Sequence, residues 1–253
     1  MIEMALLGTL QGLTEFLPVS SSAHLIFISK LVSWPLSLQE MVLLHVGTLF
    51  ALFWYFRRDI LSEFIRFIKG DYGFGLKIIL AVFTTVLLAL PLESAVDALS
   101  SQAKVVSGIL FGMGLILISM KFLRKENGFS MRDLTYRHAV VLGLLQGIAV
   151  IPGISRSGIT IVGLLLMGFE PSSAFLLSFF VGIPAILGAS ILELPKIQGS
   201  SIGFTAIFSG LLFSIMFGIL ALIVLRRIVI AKKMHWFGVY CCVVAIIVNL
   251  YIG

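Results

Sequence analysis

Charge is what this 253-residue chain has least of: Asp, Glu, Lys and Arg make up 12% of it, against about 25% in a soluble globular domain. With 59% hydrophobic residues, that deficit excludes a water-soluble globule and predicts an all-α integral membrane protein. Cysteine is limited to the neighbours Cys241 and Cys242, which excludes a disulfide framework or a cysteine metal site and reads as lipid- or helix-facing filler. The start of the chain has neither the basic region nor the small-residue cleavage site of a signal peptide, so its first hydrophobic segment is expected to stay. No nucleotide-binding motif is present, and ATP is not expected to drive anything.

The formal charge of +6 could suggest nucleic acid, but the distribution of the basic residues gives it another cause. Fourteen of the 18 fall in three clusters, at residues 57–77, 121–137 and 226–233. The positive-inside rule assigns these to the cytoplasm, and no nucleic-acid partner is expected.

Apolar runs of spanning length lie near residues 40–56, 77–92, 104–122, 171–192, 204–225 and 234–252. Two further regions, 2–30 and 138–169, are too long for one span and are broken by Pro18 and by Pro152-Gly153. Each arm is roughly 20–24 Å long, short of a ~30 Å hydrocarbon core, which predicts a re-entrant hairpin. If each hairpin returns to its own side, the basic clusters are all internal, both termini are external, and the loop Glu193 to Ser201 is external. The chain is then a single membrane domain of two inverted repeats, each a re-entrant helical hairpin plus three transmembrane helices. Their bounds are about 1–123 and 138–253. Gly8-Thr-Leu-Gln-Gly12 resembles Gly143-Leu-Leu-Gln-Gly147, each followed by a proline and a Ser-rich turn. Inverted repeats with broken helices are common in transporters, whose binding sites lie at the breaks.

The polar chemistry sits at those breaks, and ionisable residues inside membrane segments usually face a cavity and serve function. After Pro152-Gly153 come Ser155, Arg156, Ser157, Gly158 and Thr160. A helix N-terminus, a guanidinium and three hydroxyls make an anion cradle, best suited to phosphate or pyrophosphate. Around Pro18, Gln11 and Glu15 share a helix face, Ser20, Ser21 and Ser22 follow, and His24 lies three beyond Ser21. A carboxylate and an imidazole beside hydroxyls suit general acid–base or nucleophilic chemistry. At least one of the serines is expected to be only a helix cap. His45, Glu40, His138, Glu170 and His235 read as interfacial, although His45, with Gly47 and Thr48, could line the cavity.

The run Gln11 to His24, taken with Pro152 to Thr160, resembles the two defining motifs of the undecaprenyl-diphosphate phosphatase family of BacA/UppP type, and the likeness extends over essentially the whole chain. The resemblance implies a multi-pass hydrolase of the bacterial cell membrane, with its site facing the external or periplasmic side. Such an enzyme removes the terminal phosphate of a C55 polyprenyl diphosphate, recycles the lipid carrier of cell-wall synthesis and confers bacitracin resistance. It also implies roles. Arg156 with Ser155, Ser157, Gly158 and Thr160 would hold the diphosphate, and Gln11, Ser20 and Ser22 would support it. Glu15 would be base or ligand to a divalent cation, Mg2+ or Ca2+. Ser21 is the leading nucleophile and His24 a proton relay. The residues do not choose between a phosphoserine, a phosphohistidine and direct attack by water. The family's acidic motif is Glu or Gln, three residues, then Glu. With Gln at position 11 only one carboxylate is present, which weakens any mechanism needing two acidic ligands. Lipids and a polyprenyl diphosphate are the implied partners, and a homodimer is compatible with this reading. The rival from another class is a transporter that carries polyprenyl phosphate with the same cradle, and a small-anion channel ranks below it. A carrier needs Arg156 but has less use for Glu15, Ser21 and His24 together.

Overall fold

The computed structural model describes residues 2–31, 38–123, 128–193 and 203–251. Arg124, Lys125, Lys196 and residues 194–201 of the expected outer loop lie outside these. The described residues are helical nearly throughout and contain no strand beyond an isolated bridge between Phe129 and Phe169. Ten helices follow one another: α1 Ile2–Phe16, α2 Ser21–Leu31, α3 Leu38–Ile68, α4 Tyr72–Ser100, α5 Ala103–Ser119, α6 Tyr136–Ile148, α7 Arg156–Met167, α8 Pro171–Glu193, α9 Phe204–Ile230 and α10 His235–Tyr251.

Among the described residues four stretches are long and apolar enough to cross a membrane: Tyr72–Ser100, Ala103–Phe122, Pro171–Ile191 and Phe204–Ile230. The chain is therefore an all-helical protein built for a membrane. The spans expected near 40–56 and 77–92 are, however, parts of much longer helices. In α3 the apolar stretch ends at Arg57 but the helix continues to Ile68, and α4 begins at Tyr72, ahead of Lys77. Arg, Glu and Lys are good helix formers, so apolar patterning reports the greasy length of a helix and not its whole length. Much of the first basic cluster is thus helix, and the turn within it is only residues 69–71, with Gly70 at φ +94°.

The three basic clusters gather at one end of the molecule. Arg132 pairs with Glu63 and lies 3.6 Å from Asp71, which also meets Arg66 at 3.6 Å. Gly128, Glu170 and Lys232 line one small cleft at the same end. Here the two ends of the 138–169 region are also held together. Phe129 N donates to Gly168 O at 2.8 Å, Glu170 N donates to Phe129 O at 3.0 Å, and His138 packs on Phe169. The chain leaves this end in α6 and returns to it in α7. At the opposite end, Met4 of α1 lies against Gly210 near the start of α9, and Lys30 of α2 donates to Ser101 O at 2.8 Å.

Helix approach is governed by small residues. A Cβ on Gly8 would collide with the Gly210 carbonyl of α9, and one on Gly143 with the Ala81 carbonyl of α4. Lipid tails are as apolar as leucine, so membrane helices associate through such close backbone packing rather than hydrophobic burial. The α1–α9 and α6–α4 contacts are built alike. Between α1, α3 and α8 a cluster of Phe16, Phe56, Phe175 and Phe179, all buried, packs ring on ring with centroids 5.0–5.8 Å apart. Cys241 faces the protein interior, its Sγ 3.6 Å from Pro18 O, and Cys242 points to Phe111 O at 3.8 Å.

Candidate active site

The two breaks meet. α1 stops at Phe16, two residues before Pro18, and Ser20 takes φ +66°, a left-handed conformation that costs a residue with a Cβ about 1 kcal/mol or more. Ser20 Oγ then accepts from Ala23 N at 3.5 Å, capping α2, and from Gly153 N at 3.2 Å across the molecule. In the other break Gly153 turns the chain at φ +101°, and Ser155 Oγ caps α7 by accepting from Gly158 N at 3.2 Å. The caps match closely: Ser20 Oγ lies 3.2 Å from Ser22 Oγ, and Ser155 Oγ lies 3.3 Å from Ser157 Oγ.

Glu15 is the centre of the cluster. Its side chain is 7% exposed, one carboxylate oxygen pairs with Arg156 Nη2, and the other accepts from Ser21 Oγ at 2.7 Å and Gln11 Nε2 at 3.0 Å. His45 Nε2 lies 3.7 Å from that second oxygen, while His45 Nδ1 is 2.8 Å from Met41 O. A carbonyl only accepts, so Nδ1 carries the hydrogen and Nε2 faces the carboxylate.

Glu15, Arg156 and His45 open onto a cavity of about 450 Å³, whose wall also holds Gln146 and Thr85. Apart from Ser190 the rest of the wall is apolar, with Val82, Val86 and Leu90 from α4 and Pro184 and Ile186 from α8. The cavity thus combines paired charges with a largely apolar wall.

Other sequence-singled residues lie elsewhere. His24 is buried; its Nδ1–H donates to Ser20 O at 2.8 Å, and its Nε2 accepts from the Tyr240 hydroxyl at 2.9 Å with the rings stacked. The cavity wall includes neither His24 nor Ser21 nor Gln11, the last two reaching it only through Glu15. Thr160 is buried and donates to Arg156 O at 2.7 Å, with Ser178 Oγ at 2.6 Å. The space beside Gly158 is filled by Met113 and Pro18. Gln146 and Thr85 were not singled out in the sequence as site residues. Gln146 Nε2 is held by Thr85 Oγ1 at 3.2 Å and Val181 O at 3.3 Å, which leaves its buried Oε1 without a partner. The match between Gly8–Gly12 and Gly143–Gly147 carried the signal for it, since Gln146 stands where Gln11 does.

The residues present fit a divalent cation. Gln11 is fully buried and its Oε1 has no hydrogen-bond partner, although its amide already touches Glu15. Among the described residues no three His, Cys, Asp or Glu gather, so the protein supplies only part of a shell. Mg2+ commonly binds in that way, to one or two carboxylates with phosphate oxygens and water completing the shell.

The fold is thus that of an all-helical membrane protein with a part-buried carboxylate–guanidinium pair where two helix breaks meet, opening on a largely apolar cavity. The family described as "Bacitracin resistance protein BacA" matches residues 4–247, and the chain belongs to that family. An "Undecaprenyl-diphosphatase" of Thermosipho melanesiensis is 37% identical over 245 residues, 95% of each chain. One from Methanobrevibacter smithii is 37% identical over 268 residues, covering 98% of this chain and 96% of its own. "Undecaprenyl-diphosphatase 2" of Halalkalibacterium halodurans is 31% identical over 267 residues, covering 99% and 95%.

Proposed function

We propose that this chain hydrolyses undecaprenyl diphosphate to undecaprenyl phosphate and inorganic phosphate, recycling the lipid carrier of peptidoglycan synthesis. The observation that carries the reading is the Glu15–Arg156 pair at the head of the apolar cavity. The relatives' names speak for hydrolysis rather than carriage.

Phosphoryl transfer asks a protein for positioning and charge neutralisation more than for covalent machinery. Arg156 presents a fork matched to two phosphate oxygens, and the α7 N-terminus adds its dipole. As the terminal phosphate takes up the guanidinium, Glu15 loses its counter-ion and becomes a better base. Ser21 Oγ, already donating to Glu15, passes its proton to the carboxylate and forms an O–P bond. The bridging oxygen leaves with the electron pair as undecaprenyl phosphate, and water then hydrolyses the phosphoserine. Ser21 is preferred over His24 because both ring nitrogens of His24 are engaged. Alternatively Glu15 serves as a ligand and not as the base: with Gln11 Oε1 it would hold Mg2+ or Ca2+, which would offset repulsion between the carboxylate and the diphosphate.

The finer architecture belongs to the same proposal: one domain of two inverted repeats, about 1–123 and 138–253, each a re-entrant hairpin and three spans. Support comes from the matched glycine contacts, the matched serine caps and the entry of the α1–α2 and α6–α7 pairs from opposite ends. With the basic end cytoplasmic, the protein sits in the bacterial inner membrane and its site is reached from the external face.

The test is phosphate release from undecaprenyl diphosphate by purified protein in detergent, with and without EDTA. Release that falls by about 10²-fold or more in both Glu15→Ala and Arg156→Ala is expected. Absence of release from folded, lipid-binding wild type would sink the enzyme.

A further inference from the structure

We infer that His45 Nε2 is a ligand of the site's divalent cation, beside Glu15 and the Gln11 amide oxygen. The inference rests on the phosphatase reading for the ion's presence and on the structure for the residue. The ring nitrogen stands 3.7 Å from the Glu15 oxygen that faces away from Arg156. Donors bound to one small dication at about 2.1 Å each stand roughly 3–4 Å apart, so the two atoms need hardly move to share an ion.

Three further observations point the same way. His45 lines the cavity, whereas His24 does not and has both nitrogens occupied. Its Nδ1–H is anchored on the Met41 carbonyl at 2.8 Å, which fixes both tautomer and ring plane as the outer partner of a metal-bound histidine does. The buried Gln11 Oε1 is an acceptor without a donor, an arrangement a cation resolves. Charged neighbours allow it. Glu15 and Arg156 share the cavity wall with His45 and Glu40 lies on its own helix, while the wall contributed by α4, α6 and α8 carries no charge.

This set also answers the missing second carboxylate. Gln11 is neutral, so the protein supplies one negative charge, one amide oxygen and one imidazole nitrogen. Imidazole suits transition-series ions better than Ca2+, which takes oxygen ligands. His45 therefore shifts the site's preference toward an ion such as Mn2+.

The test uses the full-length chain in detergent, stripped of metal and titrated with Mn2+ alone and then with methylenediphosphonate, an unreactive diphosphate. Binding is followed by electron paramagnetic resonance, and ¹⁴N coupling to Mn2+ reports the ligand directly. Wild type is expected to bind Mn2+ with imidazole coupling. His45→Asn, which keeps an N–H for Met41, and His45→Phe are expected to lose the coupling and bind Mn2+ about 10–100-fold more weakly. Their Ca2+ affinity should change by less than about threefold. His24→Asn should retain the coupling. If one His45 variant does not fold, the other decides. Coupling that survives in a folded His45 variant, or wild-type Mn2+ binding without nitrogen coupling, overturns the assignment. Phosphate release measured alongside separates the two readings. Mn2+ held through His45 in a protein that releases no phosphate would overturn the phosphatase alone. Full phosphate release from protein that binds no Mn2+ would overturn the ligand alone.

Discussion

Arg156 at the start of α7 is paired with Glu15 at the end of α1, 141 residues away, with the carboxylate almost wholly buried. Each charge answers the other: Glu15 keeps Ser21, Gln11 and His45 beside its second oxygen, but among the described residues Arg156 has no other ion-pair partner. Removing one member leaves the other without its counter-ion in a part-buried site, which destabilises, whereas removing both often costs little. Arg156→Met is therefore expected to lower the thermal midpoint in detergent more than Glu15→Gln/Arg156→Met does. A double variant less stable than either single would show that neither charge is stranded by loss of the other.

Glycine substitutions should divide by what faces them. Gly143→Ala places a methyl against the Ala81 carbonyl and should destabilise by about 1–3 kcal/mol. Gly108→Ala and Gly112→Ala, with nothing within 4 Å, should be neutral or stabilising, since alanine favours helix. Denaturant unfolding of the three variants makes the comparison, and equal losses would contradict the close-approach account.

Ser20 joins the breaks and pays for it in backbone strain. Ser20→Ala keeps the positive φ and leaves Gly153 N–H buried without its acceptor, an expected loss of about 1–3 kcal/mol. Ser20→Gly relaxes the strain while losing the same bond, so its loss should be smaller. The reverse order in thermal unfolding would mean that the φ is unstrained.

One carboxylate outside the spans has a clear pH signature. Ser130 donates from both hydroxyl and backbone N–H to Asp133 at 2.8 Å, and these bonds, the hydroxyl's foremost, hold the carboxyl below its ordinary range. A depressed folded pKa means that the bonding is fully present above the unfolded value, about 3.9, and is lost as pH falls through the folded one. Amide exchange at Ser130 should keep its protection at the unfolded value and lose it only as pH falls through the depressed folded one. In Asp133→Asn the same protection should be independent of acid, and an acid-dependent loss there would assign the effect elsewhere.

How much could be read beforehand varied by residue. Glu15 and Arg156 stand out because an ionisable group amid apolar sequence is rare, and Pro18 and Pro152-Gly153 mark their breaks. His45 borders the apolar run that begins near residue 40, where nothing in the sequence distinguishes a cavity wall from an interfacial surface. Tyr240, the partner of His24, is 216 residues distant and looks like any aromatic of a membrane helix. α3 outruns its apolar stretch because charged helix formers extend a helix past its greasy part, and α4 likewise continues beyond residue 92 through Glu93.

Local composition was enough for the membrane class, the three basic clusters and the two helix breaks, because each depends on the cost of a side chain or a proline in its own segment. Which groups converge is another matter. That Glu15 pairs with Arg156, that Ser20 caps one break while bonding the other, and that His45 stands beside the carboxylate all depend on how closely α1, α3, α6 and α7 approach. That distance is settled by glycine against backbone and by ring against ring between distant segments, terms that exist only once the helices are packed.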